Sequence, residues 1–255
     1  EGSMSRSEIP VIPVQKCLVA TDLHCDGSAR RLTWLKRLLN RCQQLEASLL
    51  LLGDLFDQWC GDDQMNLAVN QHEVEALRTA IREGLQISVI PGNRDFLLGP
   101  QFESHTGIQI HGDAVEIQWG GQRWYCSHGD LFGTEDRGYQ RLRTTLRHPL
   151  TRGLLLSMPL SVRRFLAGGI RSGSKSSVRR KHQTRMQPDL RMVESRIAEG
   201  YDRVLCGHFH VSREEVVHCA GRSGEFQILE PFEERGAYLN LCGAEPELEW
   251  VGETA

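Results

Sequence analysis

Three short apolar runs in the first hundred residues predict buried strands. They are Cys17–Thr21, Ser48–Leu52 and Gln86–Ile90, and aliphatic side chains dominate each of them. A run of this length without regular polar positions is typical of a strand that is covered on both faces. Polar residues or a Pro-Gly turn follow each run, so we expect the carboxyl ends of these strands to carry polar side chains.

The segments between these runs have the spacing of amphipathic helices. Ser28 is a suitable N-cap, and the apolar residues that follow it recur with a period near 3.6. These residues are Leu32, Leu35, Leu38, Leu39, Cys42 and Leu45. A second helix is predicted over Asn66–Glu83 and is ended by Gly84. The order strand–helix–strand–helix–strand predicts parallel pairing in a layered α/β fold.

Beyond residue 110 the pattern changes to hairpins and further helices. Gly120-Gly121 lies between two strand-like segments, Ala114–Trp119 and Arg123–Ser127, which predicts a β-hairpin. The remaining predicted elements are a helical segment at Thr151–Ala167, a helix near Asp189–Glu199 capped by Asp189, a strand at Arg203–Cys206, and short antiparallel strands over residues 213–251.

The composition is that of an ordinary globular protein. The chain has 255 residues, of which 40% are hydrophobic and 25% charged, and this excludes a disordered chain, a collagen-like repeat and a disulfide-rich miniprotein. We expect no membrane span and no secretory signal, because no apolar run approaches 18 residues. Residues 1–15, which open with the tag-like Glu1-Gly2-Ser3, are expected to be disordered.

The eight cysteines are expected to be free thiols. They stand at positions 17, 25, 42, 60, 126, 206, 219 and 242 and form no Cys-x-x-Cys pair, which argues against a zinc knuckle or a thioredoxin-like motif. Several lie inside apolar runs. Buried free thiols in a reducing cytoplasm explain this distribution best.

The net charge of −3 conceals a strong asymmetry. The segment Arg137–Arg185 contains 13 Lys or Arg residues and no Asp or Glu, so the rest of the chain carries a formal charge of −16. Clustered basic residues are typical of surfaces that bind phosphate groups or anionic membranes.

Five polar clusters share one position relative to the predicted strands. Each follows directly on an apolar, strand-like run, and they are Asp22-x-His24, Gly53-Asp54, Gly92-Asn93, His128-Gly129-Asp130 and Gly207-His208-x-His210. A single histidine or Gly-Asp at a strand end is commonly only a turn residue. Because the carboxyl ends of strands in such sheets meet at one edge, five clusters together favour a shared site.

The residue types in these clusters are those of a metal site. Imidazoles and carboxylates without a thiolate suit Mn²⁺, Fe or Zn²⁺. Seven candidate ligands exceed the needs of one tetrahedral ion, but they suit two ions that share a carboxylate.

The ordered set of clusters resembles the calcineurin-like metallophosphoesterases. Their pattern is D-x-H, G-D-x-x-D, G-N-H/R, H with a following G, and G-H-x-H, and its counterparts here span residues 17–210. The resemblance implies a four-layer α/β/β/α sandwich with a helical cap insertion. It implies core segments at 16–134 and 189–255 and a basic helical cap at 135–188.

The same resemblance implies two divalent metal ions, with Mn²⁺ as the expected metal. The ligands of the first ion would be Asp22, His24, Asp54 and His210. The ligands of the second would be Asp54, Asn93, His128 and His208. The catalytic residues would be Asp22, Asp54, Asn93, Arg94 and His128. Two cations neutralise a phosphoryl group and activate a water, so no protein nucleophile is required.

Arg94 stands where many members of the superfamily have a histidine. Histidine can protonate a leaving oxygen, whereas arginine supplies only positive charge and hydrogen bonds. This suits a diphosphate whose leaving group departs without a proton. The alternative is a surface ion pair between Arg94 and Asp95.

Within the superfamily, the sequence is similar to the UDP-2,3-diacylglucosamine diphosphatase family of lipid A biosynthesis. The similarity lies in Gly92-Asn93-Arg94-Asp95-Phe96-Leu97-Leu98-Gly99 and in the segments around Trp59, Tyr139 and Pro159. It implies hydrolysis of UDP-2,3-diacylglucosamine to UMP and 2,3-diacylglucosamine 1-phosphate. The sequence departs from that family at Val178 and Phe209 and lacks its Gly-x-Trp-His stretch in the tail. A phosphoesterase that acts on another nucleotide or phosphodiester is the alternative.

Residues that would bind the substrate are expected at the metal site and in the cap. They are Arg94, Asp136, Tyr139, Lys175, Lys181 and His208. Leucines beside arginines within 150–166 suit acyl chains, and also peripheral contact with the cytoplasmic face of an anionic bacterial inner membrane. A solvated helical face is the structural alternative. Nucleic-acid binding by Arg137–Arg185 is less favoured, because aromatic residues for base stacking are scarce there.

Overall fold

The computed structural model describes residues 9–134, 137–169 and 187–252. In this part of the chain, two six-stranded sheets pack face to face and helices cover their outer faces. The layers therefore run α/β/β/α, and the predicted four-layer sandwich is confirmed.

The strands are short, and most correspond to the predicted apolar runs. In chain order they are β1 (Val11–Pro13), β2 (Cys17–Ala20), β3 (Ser48–Leu51), β4 (Ile87–Val89), β5 (Gln109–Ile110), β6 (Ala114–Trp119), β7 (Gln122–Ser127), β8 (Arg203–Cys206), β9 (Arg213–Cys219), β10 (Arg222–Ile228), β11 (Ala237–Leu241) and β12 (Glu247–Trp250).

The helices lie mainly between the strands of the first half and in the basic segment. They are α1 (Ala29–Leu45), α2 (Ala68–Arg82), α3 (Pro100–Thr106), α4 (Arg137–Arg147), α5 (Pro149–Ser157), α6 (160–169), α7 (Leu190–Ala198) and α8 (Phe232–Arg235). Two short 3₁₀ helices occupy Asp62–Asn66 and Asp130–Phe132.

The first sheet contains the strands predicted from the N-terminal pattern. Its order is β12-β11-β2-β3-β4-β5, and β2, β3 and β4 pair in parallel, with Leu18 opposite Leu49 and Leu50 opposite Ser88. The parallel pairing that the strand–helix order predicts is therefore confirmed. Parallel neighbours place the ends of β2, β3 and β4, and the loops after them, at one edge.

Alternate residues of each apolar strand point into two different cores. Cys17 and Val19 of β2 lie in the core between the sheets, whereas Leu18 and Ala20 pack in the core beneath the helices. Because both faces are covered, the sequence shows an uninterrupted apolar run instead of an alternating one. These two cores fix the strand ends that carry the polar clusters.

Helix α1 follows its predicted pattern closely. The Ser28 side chain accepts a hydrogen bond from the backbone N–H of Arg31, which is the N-cap geometry expected there. Leu35, Leu38 and Leu39 of the apolar stripe are buried against the first sheet.

The second sheet has the order β1-β6-β7-β8-β10-β9. The predicted hairpin forms β6 and β7, the second and third strands of this sheet, and α7 covers the outer face of the sheet. Strand β1 pairs in parallel with β6, from Val11 opposite Glu116 to Pro13 opposite Gln118. The expectation of disorder over residues 1–15 is therefore wrong for residues 11–13.

Two further expectations need correction. The predicted helical segment Thr151–Ala167 is divided into α5 and α6 at Pro159, which cannot supply the backbone N–H that a continuous helix needs. The tail at 213–251 does not form a single set of strands. The β9–β10 pair joins the second sheet, the β11–β12 pair joins the first, and α8 lies between them.

All eight cysteines fall within the described residues, and each is a free thiol. Six are buried, as predicted, and Cys219 and Cys242 are partly exposed. Burial raises the pKa of Cys17 to about 12, so this thiol stays protonated and unreactive at neutral pH. Among the described residues, no helix is both long enough and apolar enough to cross a lipid bilayer.

Candidate metal centre

Loops at the carboxyl ends of five strands bring the predicted ligands together. Asp22 and His24 follow β2, Asp54 follows β3, Asn93 follows β4, His128 follows β7, and His208 and His210 follow β8. The strands belong to both sheets, so the site lies where the two sheets meet along one edge of the sandwich. The sequence predicted this assembly from position relative to the strands alone.

One group of possible ligands comprises Asp22, His24 and His210. The Nε2 atom of His24 lies 3.8 Å from Oδ1 of Asp22, and Nε2 of His210 lies 3.6 Å from the same oxygen. The three ligand atoms all lie within 4.8 Å of one another, which is a spacing that one ion can bridge. The described residues thus bring together three of the four ligands predicted for the first ion.

A second group comprises Asp22, Asp54 and His128. Oδ1 of Asp54 lies 3.7 Å from Nε2 of His128. The same nitrogen is 3.0 Å from Oδ1 of Asn93 and 3.2 Å from Nδ1 of His208. The ligands predicted for the second ion therefore surround the His128 ring.

Backbone conformation sets these residues apart from the rest of the described chain. Seven non-glycine residues there have positive φ, and five of them are predicted ligands: Asp22, His24, Asp54, His208 and His210. Left-handed backbone is costly for residues with a Cβ, and it is concentrated at functional sites. At this edge, the chain accepts strain to turn ligand side chains into the site.

Two glycines of the motifs permit close approach of the strands. A Cβ on Gly53, whose φ is +84°, would stand 2.5 Å from Nδ1 of His128, and one on Gly207 would collide with the Thr21 side chain. Neither collision can be relieved without moving the ligands. The Gly-Asp and Gly-His pairs therefore reflect packing of loop against loop.

Several buried polar atoms in the site have no hydrogen-bond partner within the protein. Oδ1 of Asp22 and both ring nitrogens of His24 are buried and unpaired. Buried polar groups are almost always satisfied, and leaving such groups without a partner is expensive. A divalent cation bound to Oδ1 of Asp22 and to one ring nitrogen of His24 would satisfy two of these three atoms, so the donor set fits a metal ion.

The pKa values of His24 and Asp54 are consistent with metal binding at this site. Burial, followed by the nearby Arg94 and His210, lowers the pKa of His24 well below its ordinary value, so its imidazole stays neutral and able to bind a metal. Burial raises the pKa of Asp54, although the neighbouring His128 acts in the opposite direction. A carboxylate held in such a place needs positive charge beside it.

A buried carboxylate holds two of the loops in place. Asp95 is fully buried and accepts backbone hydrogen bonds from Leu55 at 2.7 Å and Gly92 at 2.6 Å. The alternative of a surface ion pair between Arg94 and Asp95 is therefore wrong, because Asp95 is directed inward.

Arg94 instead faces the metal centre. Its Nε lies 3.4 Å from Oδ2 of Asp54, and its Nη1 donates a 2.8 Å hydrogen bond to Oδ1 of Asp57. The Asp57 partner positions the guanidinium beside the predicted bridging carboxylate. This is the place from which a positive charge can act on a phosphoryl group.

The first helix of the basic segment is attached directly to this edge. Arg143 bridges Asp113 and Asp130, each at 2.7 Å, and Arg147 donates to the backbone carbonyl oxygen of Gly92 at 2.8 Å. The predicted substrate residue Tyr139 places its ring 6.1 Å from that of His208. Helix α4 therefore lies over the strand ends, with its own charges partly neutralised there.

The remaining predicted substrate residues, Asp136, Lys175 and Lys181, lie outside the described residues. One nearby residue was missed at the sequence level. The carboxylate of Glu233 lies 3.3 Å from Nδ1 of His210 and 3.7 Å from Nε2 of His24. No recognisable motif surrounds it, and only the fold brings the tail to this place.

Sequence comparisons with known proteins agree with the geometry. The model of the family described as calcineurin-like phosphoesterase matches residues 16–212. The protein named UDP-2,3-diacylglucosamine hydrolase from Stutzerimonas stutzeri is 32% identical over 227 residues, which are 88% of this chain and 94% of that protein. Its namesake from Ectopseudomonas mendocina is 33% identical over 231 residues, which are 89% and 94% of the two chains. A solved archaeal phosphodiesterase is 13% identical, with a TM-score of 0.47 over 92% of this chain and 99% of that one.

Proposed function

The chain belongs to the calcineurin-like phosphoesterase family, and on that premise we propose that it hydrolyses the diphosphate bond of UDP-2,3-diacylglucosamine. The products are UMP and 2,3-diacylglucosamine 1-phosphate. Relatives with the corresponding name cover most of the chain at 32–38% identity, which supports this substrate. The observation that carries the proposal is the gathering of seven imidazole, carboxylate and amide side chains from five strand ends into one site.

We propose that these side chains hold two divalent ions, with Mn²⁺ as the native metal. Asp22, His24, Asp54 and His210 would hold the first ion. Asp54, Asn93, His128 and His208 would hold the second. The unpaired buried atoms of Asp22 and His24 support this assignment. When bound, such a pair of ions stabilises charge on phosphoryl oxygens and makes a water nucleophilic.

The protein's own residues position these ligands. The Leu52 carbonyl oxygen is 2.8 Å from Nδ1 of His128, which directs the opposite nitrogen of that ring to Asn93 and Asp54. The Asp22 carboxylate accepts hydrogen bonds from the Thr21 hydroxyl at 2.7 Å and the His208 backbone N–H at 2.9 Å. Partners of this kind fix the orientation of metal ligands and their basicity.

Arg94 would act on the diphosphate by charge. Its side chain is 29% exposed, so it can reach a substrate while Asp57 holds it. A guanidinium cannot give up a proton at neutral pH. Cleavage of a diphosphate releases a phosphate monoester that departs without a proton, and this matches the replacement of histidine by arginine.

The basic helices α4–α6, residues 137–169, would bind the lipid part of the substrate. Large apolar side chains are exposed on them, Leu150 at 79% and Phe165 at 80%. Leu154, Leu156, Val162 and Leu166 are also exposed. Apolar residues among arginines suit acyl chains beneath an anionic head group. Asp136, Tyr139, Lys175, Lys181 and His208 are the proposed substrate contacts beside Arg94.

The same surface supports a peripheral location. A lipid substrate resides in a membrane, and arginine-rich apolar helices attach to anionic lipid surfaces. We therefore place the protein on the cytoplasmic face of a bacterial inner membrane. Binding to vesicles with and without anionic lipid tests this location.

The proposed activity is tested by incubating purified protein and Mn²⁺ with UDP-2,3-diacylglucosamine and measuring UMP. The account expects UMP release that EDTA abolishes and added Mn²⁺ restores. Release that is absent, or that EDTA does not affect, would contradict it.

The same assay separates the principal alternative. If the enzyme acted on a soluble nucleotide or another phosphodiester, its kcat/KM for that compound would exceed its kcat/KM for the lipid nucleotide. The exposed apolar face of α5 and α6 favours the lipid.

A further inference from the structure

The basic helices are attached to the core at a second place, through Arg163 of α6. Its guanidinium donates to both carboxylate oxygens of Asp63 and to the backbone carbonyl oxygen of Cys60, and its Nη1 lies 3.0 Å from Oδ1 of Asp63. Its Nε donates to the backbone carbonyl oxygen of Met158 at 2.9 Å. Paired hydrogen bonds between arginine and a carboxylate fix the geometry as well as adding binding energy. Arg163 therefore joins α6 to the loop of residues 57–63, which we call the 57–63 loop.

Arg163 is buried, whereas the rest of its segment is not. Only 6% of its surface is exposed, and no other described residue of α4–α6 is buried. A buried guanidinium is costly unless its N–H groups have partners, and here a carboxylate and two backbone carbonyl groups provide them. The attachment of α6 to the core is therefore centred on this side chain.

Gly61 makes room for the guanidinium in the 57–63 loop. Its φ of +132° is a conformation open chiefly to glycine. A Cβ at this position would collide with Nη1 of Arg163 and would stand 3.0 Å from Cδ2 of Leu156. A side chain there would displace α5 and α6, so the loop is shaped to receive these two helices.

The same loop holds Arg94 from its other side. Asp57 accepts a 2.8 Å hydrogen bond from Nη1 of Arg94, and the backbone N–H of Trp59 donates to the carbonyl oxygen of Arg94 at 2.8 Å. The buried Asp62 carboxylate accepts from the Trp59 indole N–H at 3.2 Å and from the Gly99 backbone N–H at 3.1 Å, which fastens the loop to the start of α3. The 57–63 loop therefore connects Arg94, beside the metal centre, to the helices that expose apolar side chains.

The side chains proposed to bind the acyl chains lie between two attachments of this kind. Arg143 holds α4 and Arg163 holds α6, while α5 between them has no buried residue. Leu150 of α5 and Phe165 of α6 are largely exposed, so packing against the core does not fix their positions. A binding surface that is ordered before its ligand arrives loses less entropy on binding. The attachment through Arg163 supplies this order at the α6 end.

We propose that Arg163 is a positioning residue for the lipid substrate. By joining α6 to the loop that carries Asp57, it holds the exposed apolar side chains at a fixed place relative to Arg94 and the metal centre. The guanidinium is enclosed by protein, so it acts through α6 and not by contact with the substrate. The inference rests on the proposed function and adds a determinant of lipid specificity to it.

The Arg163→Gln variant tests this through the separation of KM from kcat. We expect the KM for UDP-2,3-diacylglucosamine to rise roughly tenfold with little change in kcat, because ordering the helices then costs binding free energy. UDP-glucosamine keeps the diphosphate and lacks the acyl chains, and its Ki as an inhibitor should stay unchanged. The matched control is Arg196→Gln in α7. It removes a similarly buried arginine and its ion pair with Glu199, and it should keep the wild-type KM.

Asp63→Asn and the double variant Arg163→Gln/Asp63→Asn test whether the two residues act through their contact. Asp63 is half exposed, so its replacement should raise the KM without unfolding the protein. The double variant should have the KM of Arg163→Gln alone, because residues that share one contact are not additive. A KM equal to the product of the two single increases would contradict the proposal. A Ki for UDP-glucosamine that rises with the KM would also contradict it, since Arg163 would then bind the head group.

Hydrogen–deuterium exchange measures the attachment without any substrate. Backbone amides of residues 160–169 should exchange roughly tenfold faster in Arg163→Gln than in the wild type, and at the wild-type rate in Arg196→Gln. Equal exchange in the three proteins, or a wild-type KM in Arg163→Gln, would overturn the proposal. If Arg163→Gln does not fold, Asp63→Asn takes its place in both measurements. Absence of UMP release from the wild type would instead contradict the proposed function, so the two failures are distinguished.

Discussion

The metal centre and the basic helices α4–α6 differ in which kind of side chain they bury and which kind they expose to solvent. The metal centre buries charge, since Asp22, His24 and Asp54 are almost inaccessible to solvent. The basic helices expose apolar surface, with Leu154 and Phe165 more than half exposed. Burying charged groups without a partner and exposing apolar side chains to water are both unfavourable for an isolated protein chain. A bound ion would lower the first cost, and a bound apolar group would lower the second.

The comparison identifies what each region would bind. Buried ligand atoms without hydrogen-bond partners suit a small cation that binds them directly in place of water. Exposed leucines among arginines suit a large amphiphilic molecule that lies over this surface and is not enclosed by the protein. We therefore expect substitutions in the metal centre to abolish the chemistry, and substitutions in the helices to change which substrates are accepted.

The largest effect is expected from Asp54→Asn. Asp54 contacts both His128 and Arg94, and its loss removes the bridging carboxylate of the proposed pair. UMP release should fall by more than about 100-fold, the upper end of the effect of a supporting residue. Initial rates at saturating Mn²⁺ measure this, and a variant that keeps more than a tenth of wild-type activity would contradict the bridging role.

His128→Ala should empty part of the site. We expect bound Mn²⁺ to fall from two ions per chain to about one, because one of the two ligand groups loses its central imidazole. Elemental analysis of the dialysed protein measures this, and Asn93→Ala should show the same loss. His72→Ala, at an exposed position in α2, is the control and should retain both ions.

Arg143→Gln should weaken the attachment of helix α4 to the edge of the sandwich that carries the metal centre. Arg143 is nearly buried between Asp113 and Asp130, and removing it leaves Asp130 buried with less compensation. We expect the free energy of unfolding to fall by about 3 kcal/mol, measured by urea denaturation. Arg141→Gln, on the exposed side of the same helix, should cost far less. Equal losses in the two variants would mean that the contact with Asp130 does not anchor α4.

Leu154→Asp combined with Phe165→Asp should affect the lipid substrate alone. Both side chains are exposed, so the fold should tolerate the change. The KM for UDP-2,3-diacylglucosamine should rise roughly tenfold, which corresponds to about 1.4 kcal/mol of lost apolar contact. Hydrolysis of a soluble nucleotide diphosphate should be unchanged. Val216→Asp, an exposed apolar position on β9, is the control, and a similar rise there would exclude a specific role for the helices.

The smallest effect concerns an ion pair remote from both regions. Arg123 bonds to Glu116 on the second sheet and lowers the pKa of that carboxyl below its ordinary value. A lowered pKa stabilises the folded state above the ordinary value, and this stabilisation is lost as the pH falls through the lowered one. Arg123→Gln should therefore cost under about 1 kcal/mol at pH 7. The difference from the wild type in thermal unfolding should shrink on acidification below pH 4.5, the ordinary pKa of Glu116.

The sequence predicted the core of the fold because its signals are local. The runs that became β2, β3 and β4 are continuous in the chain, and each is followed by its own polar cluster. Parallel pairing then brings the clusters together without further information. The basic segment was predicted as a helical cap, but nothing local in its sequence marked the division at Pro159 or the attachment through Arg143, so neither was predicted.

What the sequence did not predict depends on contacts between distant residues. Strand β1 is three residues long and pairs with β6 about a hundred residues later, so no local pattern marks it. Arg31 and Glu233 are 202 positions apart and meet only in the folded chain. Asp95 follows Arg94 directly, yet it is directed into the core and leaves Arg94 to Asp57.

The central claim is that the carboxyl ends of these strands hold two metal ions. A crystal of the protein grown with Mn²⁺ and measured near the manganese absorption edge tests it most directly. The account predicts two anomalous peaks, one beside Asp22, His24 and His210 and the other beside Asn93, His128 and His208, with Asp54 between them. A single peak, or peaks away from these side chains, would contradict it.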